Sequence, residues 1–200
     1  DIYKKDGYVV FKNFISKKKI KNLTNDLENL FKLEINIDNK KINNQGINDI
    51  KFNKKIIEFR KIKPKKFSNI YNTIKGSPSL ISLLNDRKII SLVSKVLNIK
   101  KSFLWNGEYQ LRMDTPFDNR NSLGWHQDAN YYLDKTRSGK NGVVISIAIS
   151  KKIKKKNGAL VLCPKSHNSQ LLTPKDKVDK SKNISKKFKS ITREIDKKLI

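Results

Sequence analysis

The chain is poor in cysteine, glycine and long apolar runs. Cys163 is its only cysteine, so it cannot form an internal disulfide, and the setting that this favours is cytoplasmic. No apolar run approaches the roughly 18 residues that a membrane span requires, and no secretory segment opens the chain. It also has no Cys-x-x-Cys pair and no glycine-rich phosphate loop. These absences exclude disulfide scaffolds, zinc fingers and dinucleotide-binding domains, and we expect no membrane partner.

Acidic residues are also scarce. Asp and Glu number 18 against 45 Lys and Arg, which gives a formal net charge of +27. The basic residues comprise 39 Lys and only 6 Arg, and Ile (25) and Asn (22) are abundant as well. Lys, Ile and Asn have A/T-rich codons, whereas phosphate-binding sites favour the planar fork of Arg. We therefore interpret the charge as a diffuse lysine surface and do not expect a nucleic-acid partner, although charge alone leaves a nucleic-acid-binding module as a third possibility.

The first hundred residues are predicted to be mainly helical. Gly7 should end a short helix, and the β-branched and aromatic residues 8–11 predict a strand. Ser16 is suited to cap a helix in which Leu and Ile recur at helical spacing. Residues 34–55 are Asn-rich and predict a loop, Pro64 should interrupt a helical stretch at 56–75, and residues 79–97 predict two linked helices.

The second half is different in character. Residues 103–111, 143–149 and 159–163 are short β-rich runs bounded by turn residues, and residues 184–199 have the spacing of an amphipathic tail helix. Helices followed by strands indicate an α+β chain, with residues 1–200 forming one domain. The mainly helical part would be 1–100, and a sheet followed by the tail helix would be 101–200.

The most informative stretch is Gly-Trp-His-Gln-Asp at residues 124–128. His126 and Asp128 are two residues apart, so on a strand both side chains point to the same face. An imidazole nitrogen and a carboxylate oxygen presented together form part of the two-His-one-carboxylate triad that binds Fe(II). The alternative for so short a pattern is a hydrogen-bonded surface pair.

Three signatures in order resemble the phytanoyl-CoA dioxygenase (PhyH-like) family of Fe(II)- and 2-oxoglutarate-dependent oxygenases. They are the opening residues 3–14, the pair formed by residues 109–114 and 125–128, and the run from Asn-Gly at 157–158 to Pro-Lys-Ser-His at 164–167. The third signature has Lys165 where glycine is usual. The resemblance covers nearly the whole chain.

This resemblance implies a double-stranded β-helix, a jelly roll of the cupin type, with N-terminal helices packed on the sheet. It implies an enzyme that uses Fe(II), 2-oxoglutarate and O2 to hydroxylate a small-molecule or acyl substrate. His126 and Asp128 would be metal ligands, and Gln110 would bind the co-substrate or satisfy a neighbouring strand. No further catalytic residue is assigned. Arg112 is expected to pair with Asp114 or Asp128 rather than to contact the substrate.

The chain departs from the family pattern at the third ligand. By resemblance, a distal histidine and a 2-oxoglutarate-binding arginine would lie beyond residue 200, so we expect a jelly roll that is incomplete at the C-terminus and a catalytically incomplete fragment. His167 is the only other histidine, either a third ligand or a loop residue. Arg193 is interpreted as a solvated charge, and Ser146 or Ile147 replaces a tryptophan usual in the family. The alternative function is a catalytically inactive jelly-roll protein whose basic surface binds an acidic partner.

Overall fold

The described part of the chain consists mainly of helices. The computed structural model describes residues 2–35, 46–107, 109–116, 124–128, 142–150, 153, 158–168, 175–178 and 191–194. The helices are α1 (Ile2–Asp6), α2 (Lys17–Ile35), α3 (Ile50–Ile62), α4 (Pro64–Thr73), α5 (Pro78–Leu84) and α6 (Arg87–Leu97). Short 3-10 turns span Gly46–Asn48, Ile74–Gly76, Lys101–Phe103 and Ser166–Asn168. Two strands, β1 (Lys175–Val178) and β2 (Ile191–Glu194), pair antiparallel, with Lys175 opposite Glu194.

The chain divides into two compact units. A helical unit comprises residues 12–116 and 143–159, and a second unit comprises residues 1–11, 117–142 and 160–200. Helices α2–α6 belong to the helical unit, whereas α1, β1 and β2 belong to the second.

Side-chain caps define where several helices begin. The Ser16 hydroxyl accepts a hydrogen bond from the Lys19 amide at 3.3 Å, and the Asp49 carboxylate accepts from the Lys51 amide at 2.7 Å. Ser77 and Asp86 cap α5 and α6 in the same way. Each cap satisfies an amide that has no partner within its helix. The predicted Ser16 cap, the break at Pro64 and the two helices within 79–97 are confirmed.

The helical unit encloses an aromatic core. Phe31 of α2 meets Phe52 and Phe59 of α3 edge-on, each with ring centroids 6.4 Å apart, and its ring lies 5.6 Å from that of Phe67 in α4. Edge-to-face contacts are favourable for aromatic rings because the positive edge of one meets the negative face of the other. This cluster holds α2, α3 and α4 together.

The predicted jelly roll is wrong. In the part of the chain that the structure describes, helices predominate and the only hydrogen-bonded ladder is the pair β1–β2. The described residues of the predicted β-rich runs 103–111, 143–149 and 159–163 include no strand. Leu111, Met113, Ile147 and Ile149 pack against the helical core instead. Their spacing of two is consistent with one buried face, but the prediction of strands in these runs is wrong.

Three local predictions also fail. Residues 8–11 form no strand, and the predicted loop at 34–55 contains the start of α3 at Ile50, which the Asp49 cap initiates. The tail helix is wrong over Ile191–Glu194, which is strand β2. The apolar residues of this segment recur at helical spacing, yet the segment contains β-branched residues and pairs with β1 as a strand. The other residues of the predicted tail helix lie outside the described ones.

An ion pair joins the start of α2 to the start of α6. Lys19 Nζ lies 2.6 Å from Asp86 Oδ2, and the same carboxylate accepts the Lys88 amide at 2.8 Å. The hydrogen bond from Lys19 holds the pKa of Asp86 below its ordinary value, although burial opposes this shift. Because the folded pKa is lowered, the stabilisation is present above the unfolded pKa of about 3.9 and is lost as the pH falls through the folded value.

We therefore expect Asp86→Asn to lower the free energy of unfolding by about 1 kcal/mol at neutral pH. The difference from the unsubstituted protein should vanish in acid, where Asp86 is itself protonated. Asparagine retains the helix cap, so the substitution isolates the charge. Urea unfolding across the pH range measures the effect. Asp49→Asn is the matched control, because Asp49 caps α3 but forms no ion pair with any described residue. An equal, pH-independent loss for both variants would contradict the assignment.

Lys165 has a backbone conformation that favours glycine. Its φ is +67°, in the left-handed region, and its amide donates to the Asp6 carbonyl at 2.9 Å. A side chain in this region costs roughly 1–2 kcal/mol because Cβ approaches the following carbonyl oxygen. The backbone at this position thus favours the glycine of the Pro-Gly-Ser-His pattern, and it is there that this chain has lysine instead.

We expect Lys165→Gly to raise the free energy of unfolding by about 0.5–1 kcal/mol, since relief of strain exceeds the added entropy of the unfolded chain. Lys100→Gly provides the contrast, because Lys100 has an ordinary φ of −64° and should gain nothing. Chemical denaturation of both variants measures the two effects. Destabilisation by Lys165→Gly would show that its side chain contributes more than its backbone costs.

Candidate metal site

His126 and Asp128 lie on a short non-strand segment of the second unit. Residues 124–128 contain a bend at Trp125 and begin a 3-10 turn at Asp128. His126 Nε2 lies 3.2 Å from Asp128 Oδ1, so the two side chains that the sequence singled out are brought together. The predicted proximity therefore arises from a bend rather than from alternation along a strand.

A backbone carbonyl fixes the orientation of the His126 ring. Nδ1 lies 2.7 Å from the Gly124 carbonyl oxygen. Because a carbonyl oxygen only accepts, Nδ1 must carry a hydrogen, and the neutral ring therefore presents its lone pair at Nε2. Metal-binding histidines commonly donate their second ring N–H to a carbonyl in this way.

His126 Nε2 and Asp128 Oδ1 face each other, and this contact requires a proton or a metal cation between the two atoms. In the neutral ring, Nε2 is an acceptor, and an ionised carboxylate oxygen is an acceptor as well. Two acceptors 3.2 Å apart repel unless a proton on Nε2 or a metal cation lies between them. Two ligand atoms about 2.1 Å from one ion at a right angle would be about 3 Å apart, so the observed separation suits adjacent ligands.

The pair is accessible from solvent. The His126 side chain is 24% exposed and that of Asp128 48%. An ion in solution therefore reaches both atoms without unfolding of the segment. Trp125 and Gln127, on either side of His126, are half-buried.

His167 has a different partner. Its Nε2 lies 3.0 Å from the Lys4 carbonyl oxygen, and because that oxygen only accepts, Nε2 donates to it. A Cβ added to Gly7, whose φ is +82°, would overlap the imidazole and lie 2.7 Å from its Cγ. His167 thus packs on the end of α1, and this geometry supports its interpretation as a loop residue rather than a ligand. Sequence analysis could not find the Lys4 contact, because it joins residues 163 positions apart.

Gln110 and Arg112 belong to the helical unit, on the extended segment after α6. Gln110 is exposed, and its predicted contact with the co-substrate stays a prediction. Arg112 Nη2 lies 3.7 Å from Asp114 Oδ2, which confirms the expected ion pair. Burial raises the pKa of the nearby Tyr71 phenol, and the positive charge of Arg112 partly opposes this shift. Arg112 therefore has structural partners.

No third ligand joins the pair among the residues that the structure describes. That part of the chain holds no cluster of three or more His, Cys, Asp or Glu side chains suited to a metal ion. Cys163 is half-buried. Within the same described ranges, no helix is both long and apolar enough to cross a membrane.

Comparison with known proteins gives one match. The profile of the phytanoyl-CoA dioxygenase (PhyH) family matches residues 3–194, which is nearly the whole chain. No curated protein and no solved structure matches it significantly. Membership indicates oxygenase activity at the level of the family, with Fe(II) and 2-oxoglutarate as the general cofactor and co-substrate. From the extent of this match, the chain belongs to the phytanoyl-CoA dioxygenase family.

Proposed function

We propose that this protein is a non-haem Fe(II)- and 2-oxoglutarate-dependent dioxygenase that hydroxylates a small-molecule or acyl substrate. His126 and Asp128 are its metal ligands, and Gln110 contacts the co-substrate. The observation that carries the proposal is the arrangement of the His126 ring, whose Nδ1 is satisfied by the Gly124 carbonyl while Nε2 faces the Asp128 carboxylate at 3.2 Å. This donor set, one imidazole and one carboxylate, is the one that Fe(II) oxygenases use.

The residues of the chain have distinct roles in this proposal. The Gly124 carbonyl keeps the ring in the tautomer that leaves Nε2 available, and the Asp128 carboxylate offsets part of the positive charge of the ion. When bound, Fe(II) supplies with 2-oxoglutarate and O2 the chemistry that hydroxylates a C–H bond.

We assign only two ligands to the described residues. The geometry of His167 disfavours it as the third, because its Nε2 donates to the Lys4 carbonyl and its Nδ1 packs against the backbone of Gly7. A facial triad needs three protein ligands, so the third must come from another residue or be replaced by water.

The decisive experiment is anaerobic addition of Fe(II) and 2-oxoglutarate to the protein, followed by O2. The proposal predicts a visible charge-transfer absorption that requires both additions and, for a protein with all three ligands, conversion of 2-oxoglutarate to succinate. Alanine at His126 or Asp128 should abolish both signals. If the folded protein binds no Fe(II), the His126–Asp128 contact is a proton-mediated ion pair, and the alternative of a catalytically inactive binding protein is favoured.

A further inference from the structure

The junction of α3 and α4 is the most basic exposed stretch in the described helices. We call residues 61–66 the basic corner. All six residues are exposed, four of them are lysines and none is acidic. Among the described residues, only Lys66 of the corner has an ion-pair partner, with its Nζ 3.3 Å from Glu34 Oε2. Lys61, Lys63 and Lys65 are exposed and pair with no described carboxylate.

The backbone of the corner is held rigidly. The Lys63 amide donates to the Phe59 carbonyl at 2.8 Å, and the Lys63 carbonyl accepts the Phe67 amide at 3.0 Å. Below the corner, the guanidinium of Arg60 lies 4.6 Å from the centroid of the Phe67 ring. Because this anchor packs into the aromatic core, the lysine side chains project from a fixed platform and lose little backbone entropy on binding.

Two large apolar side chains are exposed at the same place. Ile62, between Lys61 and Lys63, is 66% exposed. Leu33, in the last turn of α2, is 78% exposed, and its neighbour Glu34 is the residue that pairs with Lys66. A single exposed isoleucine is common on protein surfaces. An exposed isoleucine flanked in sequence by exposed lysines combines the apolar and basic groups that bind at the boundary between the headgroups and acyl chains of an anionic bilayer.

We propose that the basic corner is a docking surface for an anionic lipid bilayer, with lysines on the headgroup phosphates and carboxylates and Ile62 inserted among the acyl chains. Lipid is favoured over nucleic acid because a phosphate backbone offers no apolar phase to Ile62, and because residues 61–66 include no arginine for bidentate phosphate contacts. The proposal concerns peripheral attachment. It departs from the expectation of no membrane partner, which rested on the absence of a spanning run, and it does not depend on the proposed oxygenase activity.

The test is sedimentation of the full chain with phosphatidylcholine vesicles that contain or lack phosphatidylserine. We expect binding only to the vesicles with phosphatidylserine, and release at high salt. Replacing Lys61, Lys63 and Lys65 together with glutamate should weaken binding at least about a hundredfold, since each lysine near the surface contributes about a factor of five. Ile62→Ser alone should weaken it by about tenfold.

Matched variants at the other end of α3 distinguish the contribution of the basic corner from that of the net charge of the protein. Replacing Lys51, Lys54 and Lys55 with glutamate changes the net charge equally, and Ile50→Ser removes an isoleucine that is 74% exposed at the other end of α3. These controls should weaken binding less than about threefold, because charges beyond about 8 Å are screened at physiological salt. Thermal unfolding verifies that each variant is folded.

Three outcomes would overturn the proposal. They are failure of the unsubstituted protein to bind vesicles with phosphatidylserine, equal weakening by the corner and control triple variants, and no effect of Ile62→Ser. The second would show a diffuse lysine surface. Tight binding to duplex DNA or RNA, lost in the corner triple variant but unaffected by Ile62→Ser, would instead identify the corner as a nucleic-acid contact.

Discussion

His126→Ala is expected to lower the affinity of the chain for Fe(II), or for Co(II) as an air-stable substitute, by roughly a hundredfold or more. Even residues that only support a ligand typically change metal affinity by about 10–100-fold, so loss of the ligand itself should exceed that range. Asp128→Ala should have a comparable effect, because the second atom that faces the ion is removed. Isothermal titration calorimetry measures the affinities directly, without any need for turnover.

The second histidine of the chain provides the control. His167→Ala should leave metal affinity unchanged, because His167 Nε2 donates to the Lys4 carbonyl and its Nδ1 packs against the backbone of Gly7. It should instead reduce stability by about 1 kcal/mol through loss of that hydrogen bond. A loss of affinity as large as that of His126→Ala would show that the imidazole of His167 leaves α1 and binds the ion.

Phe31→Ala is expected to lower the free energy of unfolding by about 3–5 kcal/mol. The Phe31 side chain is fully buried and touches three other phenylalanine rings, so its removal leaves a cavity and also breaks two edge-to-face contacts. Such a loss is a large part of the total stability of an ordinary domain. Urea denaturation followed by far-ultraviolet circular dichroism measures it, since the helices of this unit dominate the signal.

Leu33→Ala tests whether this effect comes from packing rather than from helix propensity. Leu33 lies on the same helix two positions further along and is largely exposed, and leucine and alanine are both good helix formers. The change should therefore stay within about 0.5 kcal/mol. A loss comparable to that of Phe31→Ala would mean that the exposed face of α2 is packed in solution.

The helices were predictable because their signals are local. Ser16 precedes a run with helical apolar spacing, and Pro64 is tolerated at the first position of α4, where its missing N–H would have no helical partner. The start of α3 was missed because the Asn-rich composition of residues 34–55 indicated a loop. Asp49 nevertheless caps a helix whose apolar residues Phe52, Ile56 and Phe59 recur at helical spacing, a signal that the composition concealed.

The sheet was not predictable because strands depend on distant partners. Ile147 and Ile149 have the alternation of a strand, yet burial against helices satisfies the same pattern without a ladder. The proximity of His126 and Asp128 was predictable from their separation of two residues, whereas the Gly124 carbonyl that orients the ring depends on the local backbone conformation, which no spacing rule describes.

The hydrogen bonds between α1 and the loop at residues 164–168 also limit when α1 can become anchored while the chain is being synthesised. The hydrogen bonds from Lys165 to the Asp6 carbonyl and from His167 to the Lys4 carbonyl cannot form until the ribosome has added residues that lie up to 163 positions after α1. At about 5–20 residues per second, residues 2–6 wait for roughly ten to thirty seconds. A helix of five residues is not stable by itself in water. Helix α1 therefore becomes anchored only after the phenylalanine core of α2–α4 has had time to form.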